Sequence, residues 1–229
     1  MKKISFVIFM LCLTITGAFA QEQISISRFQ GQKITGIEAH GIFSITAKQG
    51  NATGVTVNIP ARLEKQLVLK LDPAGKLHIY IDGKITTKNK RNNDDDRFTA
   101  EITFTSLDNV ELTGVCKMET IGDFTTTKLK VDLSGASKML MNGDFLVKEK
   151  LDIELSGASN LKGQMTSPES TFDISGASNL SLKGNTIHCK MEVSGASKAN
   201  LEDFPINELK AEVSGAANAQ FQVKEKISL

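Results

Sequence analysis

Ser-Gly-Ala-Ser occurs at 134–137, 156–159, 175–178 and 194–197, and Ser-Gly-Ala-Ala follows at 214–217, with offsets of 22, 19, 19 and 20 residues. A degenerate copy, Thr113-Gly114-Val115-Cys116, stands 21 residues before the first. A unit this short cannot bury an apolar face alone, so successive units must stack and share one core. The flanks agree. Apolar residues alternate before each copy, as in Leu129, Val131, Leu133 and in Leu151, Ile153, Leu155, which is the period of a half-buried strand. After each copy Met139, Leu161, Leu180, Ala199 and Ala219 take one equivalent position, and Met141, Leu182, Leu201 and Phe221 take another, with Gly163 in one rung. Gly143, Gly163 and Gly184 are expected at turns.

These observations predict an all-β chain whose residues 113–229 form a parallel β-solenoid with rungs of about twenty residues. Right-handed winding is expected by analogy with parallel crossovers. Leucine-rich repeats share the period but need Leu at fixed positions, whereas small residues recur here. The structural repeat residues are Ser134 and Gly135, Ser156 and Gly157, Ser175 and Gly176, Ser194 and Gly195, and Ser214 and Gly215. Glycine suits a tight corner where backbones meet closely and φ is positive. Residues 21–112 read as a less regular β-rich region, probed by alternation at Gly41–Ala47, Gly54–Ile59, Gln66–Leu71, Lys76–Ile81 and Phe98–Phe104. Asp72-Pro73-Ala74-Gly75 is a turn signal, and the polar stretch from Thr86 to Arg97 reads as an exposed loop. No helix is suggested. Glu111-Leu112-Thr113-Gly114 joins the two regions in register, so continuity is expected.

Residues 1–20 carry the marks of a cleaved signal peptide: Lys2 and Lys3, an apolar stretch from Ile4, and Ala18-Phe19-Ala20. Export to the periplasm, the cell surface or the medium follows, with cleavage before Gln21 and no lipid anchor at Cys12. Removing 1–20, which hold two lysines and no acids, takes the formal charge from +1 to −1. A near-neutral chain has no global electrostatic pull towards nucleic acid. No later segment approaches eighteen uninterrupted apolar residues, so no membrane span is expected in the mature chain. Cys116 and Cys189 fall about four rungs apart, roughly 19 Å at ~4.8 Å per rung, far beyond disulfide reach. Two buried free thiols and no disulfide are predicted.

The segments Phe29, Ile34, Ile37, Gly41-Ile42-Phe43-Ser44-Ile45, Gln49-Gly50, Leu77-His78-Ile79 and Ser106 to Gly114, followed by serial Ser-Gly-Ala-Ser rungs, resemble the head GIN domain family. That family is described as auto-transporter adhesins and is common among exported proteins of Bacteroidetes. The resemblance covers nearly the whole mature chain. It implies a right-handed β-helix-like fold and an envelope location. Separately from the resemblance, the expected partner is an unidentified envelope protein or glycan.

One column of side chains is a candidate binding feature. Two residues before each motif stand Glu111, Asp132, Glu154, Asp173, Glu192 and Glu212. Stacking would align them about 4.8 Å apart, and like charges so close repel by roughly 1 kcal/mol each even in water-like dielectric. Lys130, Asp152, Thr171, Lys190 and Lys210, two residues earlier, offer an ordinary explanation: a solvated face of mixed charge that resists edge pairing. The alternative is a stripe that binds Ca²⁺ or a basic partner. Otherwise no cofactor or metal site is expected. A further column, Lys138, Asn160, Asn179, Lys198 and Asn218, fits corner residues or an amide ladder.

Other constellations carry less. Asp94-Asp95-Asp96 lacks the spacing and glycine of a calcium loop. His40, His78 and His188 read as isolated strand residues without converging ligands. The repeated serines have no histidine in their own rung, which fits packing better than a triad. From Phe98 onward there is no Arg, Trp or Tyr, which argues against a polysaccharide-active enzyme. Fold alone cannot decide among a binding module, an assembly protein using the solenoid ends, and such an enzyme. The residues favour the first, and no catalytic residue is assigned.

Overall fold

The computed structural model describes residues 23–83 and 98–228; residues 1–20, expected to be a signal peptide, Asp94 to Asp96 and the stretch from Thr86 to Arg97 lie outside the described residues. The chain is a β-solenoid of about six turns with rungs of about 21 residues. The first strands are β1 (Gln23–Arg28), β2 (Gly36–Gly41), β3 (Phe43–Gln49), β4 (Gly54–Pro60), β5 (Leu67–Leu71), β6 (Lys76–Ile81) and β7 (Phe98–Phe104). Then come β8 (Asn109–Gly114), β9 (Lys117–Ile121), β10 (Phe124–Leu133) and β11 (Lys138–Leu155). The last are β12 (Asn160–Ile174), β13 (Asn179–Val193), β14 (Lys198–Val213) and β15 (Asn218–Ser228). Hydrogen bonds join them all into one sheet.

Odd-numbered residues of β11 point inward, but the pattern lapses at Gly143 and Glu149, and again at Ser134-Gly135-Ala136. A rung therefore has three straight runs and three corners. In β11 the runs are residues 138–142, 144–147 and 150–155, here called the first, second and third faces. The pairing of β11 with β12 skips residues at two of these corners, whereas β12 and β13 keep one offset of 19 along their whole length. Gly143 and Gly184 have φ of +127° and +113° and make bends, as expected. Gly163 does not: it is not among the positive-φ glycines, and a Cβ there would stand 2.8 Å from Cβ of Met141, so its smallness makes room for a core side chain.

The Ser-Gly-Ala corner shows why glycine recurs. The amides of Ala136, Ala158, Ala177, Ala196 and Ala216 each donate to the glycine carbonyl one rung earlier, at 2.7–2.8 Å. That contact presses the backbones so closely that a Cβ on Gly157 would lie 2.4 Å from the Gly135 oxygen, and φ there is +71°. Both effects exclude a side chain. The serine after the alanine points inward: Ser137, Ser159, Ser178 and Ser197 are buried in a column that begins with Cys116.

The inward columns are those the repeat implies. Met118, Met139, Leu161, Leu180 and Ala199 stack in register and are buried. Phe104, Phe124 and Phe145 form a run of edge-to-face rings on the second face. Cys116 and Cys189 are free and buried, and burial raises both thiol pKa values, Cys189 to about 12.

Departure from the all-parallel stack is confined to the N-terminal end. β2 and β3 already make a rung, with Gly41 at the corner, because β2 pairs β8 and β3 pairs β9, both parallel. Beyond it the third face continues through β6, parallel to β2, and β5, antiparallel to β6. The first face continues through β7, then β4 and β1, which run antiparallel. The Asp72–Gly75 turn closes the β5–β6 hairpin, with Gly75 at φ +89° and its amide donating to the Asp72 carbonyl. A short 3-10 helix, Ala61–Gln66, is the exception to an all-strand reading. It follows Pro60, which ends β4 because proline supplies no amide for a ladder.

Candidate functional site

Period-two alternation turns every second residue of the third face outward, and stacking puts those residues in straight columns. Glu111, Asp132, Glu154, Asp173, Glu192 and Glu212 occupy one register position across β8 to β14. Glu38 of β2 extends the column, since it pairs with Glu111. The seven carboxylates span about 29 Å at ~4.8 Å per rung. Lys130, Asp152, Thr171, Lys190 and Lys210 form the neighbouring column. Outside it runs a third, Lys128, Lys150, Glu169, His188, Glu208 and Lys226.

The lysines neutralise part of the stripe. Lys130 Nζ lies 2.9 Å from Glu154, Lys190 2.8 Å from Glu192, and Lys150 2.8 Å from Asp152. The Lys190 hydrogen bond and charge lower the Glu192 carboxyl. Among the described residues Asp132, Asp173 and Glu212 have no ion pair. Asp132 is the least comfortable. Burial, then the Glu154 charge and that of Glu111, raise its pKa despite Lys130 and Lys76. A shallow groove of about 300 Å³ runs over this face between Lys130, Asp152, Glu154, Asp173, Lys190 and Glu192.

At the N-terminal end the column becomes a tight ionic cluster. Glu38 Oε1 accepts from His40 Nε2 at 2.7 Å, and Oε2 lies 3.0 Å from Lys76 and 3.2 Å from His78. Lys76 also reaches Glu111 at 2.7 Å, and His78 lies 3.6 Å from Asp72. Burial pushes the Glu38 carboxyl up, but hydrogen bonds from His40 and Lys76 and the charges of Lys76 and His78 outweigh it, and its pKa falls to about 2. The expectation of isolated histidines is therefore overturned. Each sits on a strand but beside an acid, His188 lying 3.3 Å from Glu208. The His40 pairing was available in the sequence, because Glu38 and His40 stand two apart on one strand and share a face.

Not every expected contact forms. Lys138, Asn160, Asn179, Lys198 and Asn218 align, yet the side-chain amides of Asn160, Asn179 and Asn218 do not hydrogen-bond one another, so there is no amide ladder. Nor do three or more His, Cys, Asp or Glu side chains converge as a metal cage among the described residues. From Asp132 to Glu212 the carboxylates of the stripe lie at one-rung spacing instead of turning towards a common centre. No helix among the described residues is long and apolar enough to cross a membrane.

The family model described as "Putative auto-transporter adhesin, head GIN domain" matches residues 33–229. Among curated proteins none matches the sequence. A crystal structure of a "putative adhesin" from Parabacteroides distasonis ATCC 8503 superposes with a TM-score of 0.71 at 15% identity, covering 90% of this chain and 96% of that one. A "putative lipid binding protein" from the same organism gives 0.63 at 11% identity, over 90% and 93% of the two chains. A "putative adhesin" from Bacteroides fragilis NCTC 9343 gives 0.55 at 14%, over 90% and 96%. At such identities the likeness is one of fold.

Proposed function

The chain belongs to the head GIN domain family, and from that premise we propose that it is a non-catalytic, adhesin-like binding protein of the cell envelope whose contact surface is the acid-lined third face. The observation that carries this reading is the register of the seven carboxylates from Glu38 to Glu212. A packed solenoid holds them at fixed spacing, so a partner meets a preorganised row without ordering it first. Asp132 adds weight: its raised pKa means that its charge costs folding stability, and groups kept in uncomfortable environments concentrate at functional sites. The complementary partner is a basic segment of an envelope protein or a cationic glycan. Catalysis has no counterpart in this geometry, because the carboxylates lie on an open regular face without the enclosing cleft that paired-acid hydrolysis uses.

Retention of protein-coated beads on cell surfaces tests the reading. Wild type should be retained at about 50 mM salt and released by about 500 mM, since exposed charge contacts are screened. The Asp132→Ala/Asp173→Ala double variant should be retained poorly while keeping its far-UV spectrum. Equal retention of the two proteins sinks the proposal.

A second reading, assembly through strand addition, rests on β15. Among the described residues it pairs with β14 alone, leaving Phe221 and Val223 half-buried and Ile227 exposed, and Phe221 lines a groove of about 880 Å³ with Val213, Ala217 and Ala219. Association of the wild type with rising concentration, abolished by Phe221→Asp, would favour it.

A further inference from the structure

We propose that the first face carries a row of lysines on which the acid column of a second copy of this chain docks, so that copies associate side by side. The third face keeps the contact role proposed above, on which this rests, and gains a named partner. Outward side chains of the first face line up as those of the third face do. Lys117 pairs in register with Lys138, Lys138 with Asn160, Asn160 with Asn179, and Asn179 with Lys198, while Lys162 stands two residues along from Asn160. All four lysines are exposed. Among the described residues none of them has an ion pair. The one acid at these two outward positions from β9 to β14 is Glu119, and Asn142 Nδ2 donates to it. A chain that is near-neutral overall therefore carries a basic face and an acidic one.

The unpaired charges of the two faces share a period. Asp132, Asp173 and Glu212, the acids left without an ion pair, stand at every second rung of the third face. Lys117, Lys162 and Lys198 stand at every second rung of the first. Both intervals are about 9.6 Å at ~4.8 Å per rung. One solenoid laid along another and shifted by whole rungs brings the three lysines to the three acids at once, in either relative direction. That match favours a second copy over a flexible basic chain, whose charges hold no fixed interval and must be ordered on binding. The two faces adjoin at the Ser-Gly-Ala corner and look outward in different directions, so one partner cannot cover both. The contact is therefore heterologous, and further copies can add to a pair. A patch of roughly 29 Å by 17 Å is about 500 Å² on each copy, below the ~800 Å² of a standard interface, which makes the association weak and reversible.

Sedimentation equilibrium provides the test. At about 200 μM protein and about 20 mM salt the weight-average mass should exceed the monomer's by at least about 1.5-fold, and at about 500 mM salt it should return to the monomer's. Lys162→Glu/Lys198→Glu and Asp132→Lys/Asp173→Lys should each stay monomeric in low salt while keeping the wild-type far-UV spectrum. Mixed in equal amounts they should associate again, because the altered face of each complements the other. Either variant is decisive by itself should the other fail to fold. Phe221→Asp should associate as wild type does, which separates side-by-side contact from strand addition at β15. A wild type that is monomeric in low salt overturns the proposal, as do folded charge variants that associate undiminished, a mixture that stays monomeric, or loss of association in Phe221→Asp. A monomer whose first face binds polygalacturonate overturns it too, and makes an anionic glycan the partner of that face. Retention on cells that is lost in Asp132→Ala/Asp173→Ala, beside a monomeric wild type, would sink this proposal and leave the third-face one standing.

Discussion

Gly176 and Gly122 both have positive φ, +74° and +81°, yet they should answer differently to alanine. At Gly122 a Cβ meets nothing within 4 Å, so only the left-handed backbone is penalised, about 1–2 kcal/mol. At Gly176 the same atom would lie 2.4 Å from the Gly157 carbonyl oxygen. Relieving that clash means separating two rungs, so Gly176→Ala should cost about 3 kcal/mol or more. Urea unfolding of both variants decides it, and equal losses would show that rung contact at the corner contributes nothing. Glu38 makes a second residue-scale prediction. Its folded pKa of about 2 lies below the ordinary 4.5, so its stabilisation is present above about pH 4.5 and is lost as pH falls through about 2. The shift corresponds to at most about 3 kcal/mol, less after screening at a cluster that faces water. Wild type should lose more stability than Glu38→Gln between pH 6 and pH 3, and parallel losses in the two proteins would contradict the pairing. Glu38 also shows what could be read early. An acid stands three residues before the glycine in every copy, Glu111 before Gly114 and Asp132 before Gly135, and likewise Glu38 before Gly41. The first copy escapes notice because His40 and Ile42 replace the serine and alanine that make the others recognisable. Lys76 and His78 were beyond reach, since a hairpin brings them to Glu38 from 38 and 40 residues away.

A β-strand with one wet face transmits its sequence pattern directly to a surface, and the third face is the clearest case. Columns legible at a spacing of two became columns in space because each parallel neighbour repeats the register. The N-terminal strands were legible one by one, with β4, β6 and β7 close to their expected spans. Their order was not. Alternation gives a strand its faces but not its neighbour, and nothing local to β4 says that it runs antiparallel against β7. At this scale the stripe predicts its own instability. Burial and the Glu154 and Glu111 charges raise the Asp132 carboxyl, so the folded state penalises its ionised form. Asp132→Asn should therefore raise Tm at pH 7, and the gain should vanish as pH falls and the wild-type acid takes up its proton. Calorimetry at both pH values checks the sign, and a lower Tm for the variant at pH 7 would mean that Lys130 dominates. Calcium provides the companion measurement. Since no metal cage forms among the described residues, Tm should be the same in excess Ca²⁺ and in chelator, and a rise with Ca²⁺ would support the metal reading.

A solenoid is close to one-dimensional: each rung touches the rung before and the rung after, and stability grows as a sum of rungs and interfaces. This molecule offers a sharp test, because two of its rungs are interchangeable by length. β12 and β13 pair at a constant offset of 19 from Asn160 to Ile174, with no register shift. Leu155 leads into Ser156, and the Ser175 amide already donates to the Leu155 carbonyl. Deleting residues 156–174 therefore joins Leu155 to Ser175 with every later residue still in phase: Leu180 comes to lie over Met139, Met191 over Ile153, and Glu192 over Glu154 in the acid column. The shortened chain should fold, keep its strand spectrum, and melt no more than about 10 °C lower. Deleting 156–165 removes about half a rung, puts strand residues against corners, and should abolish cooperative unfolding. Circular dichroism melts of the two deletions distinguish a stack of equivalent coils from a globule that happens to repeat. If both deletions unfold, the core is shared over longer distances than neighbouring rungs. If the rung deletion folds, the carboxylate row is one interval shorter, so the salt-sensitive retention assigned to the third face should weaken.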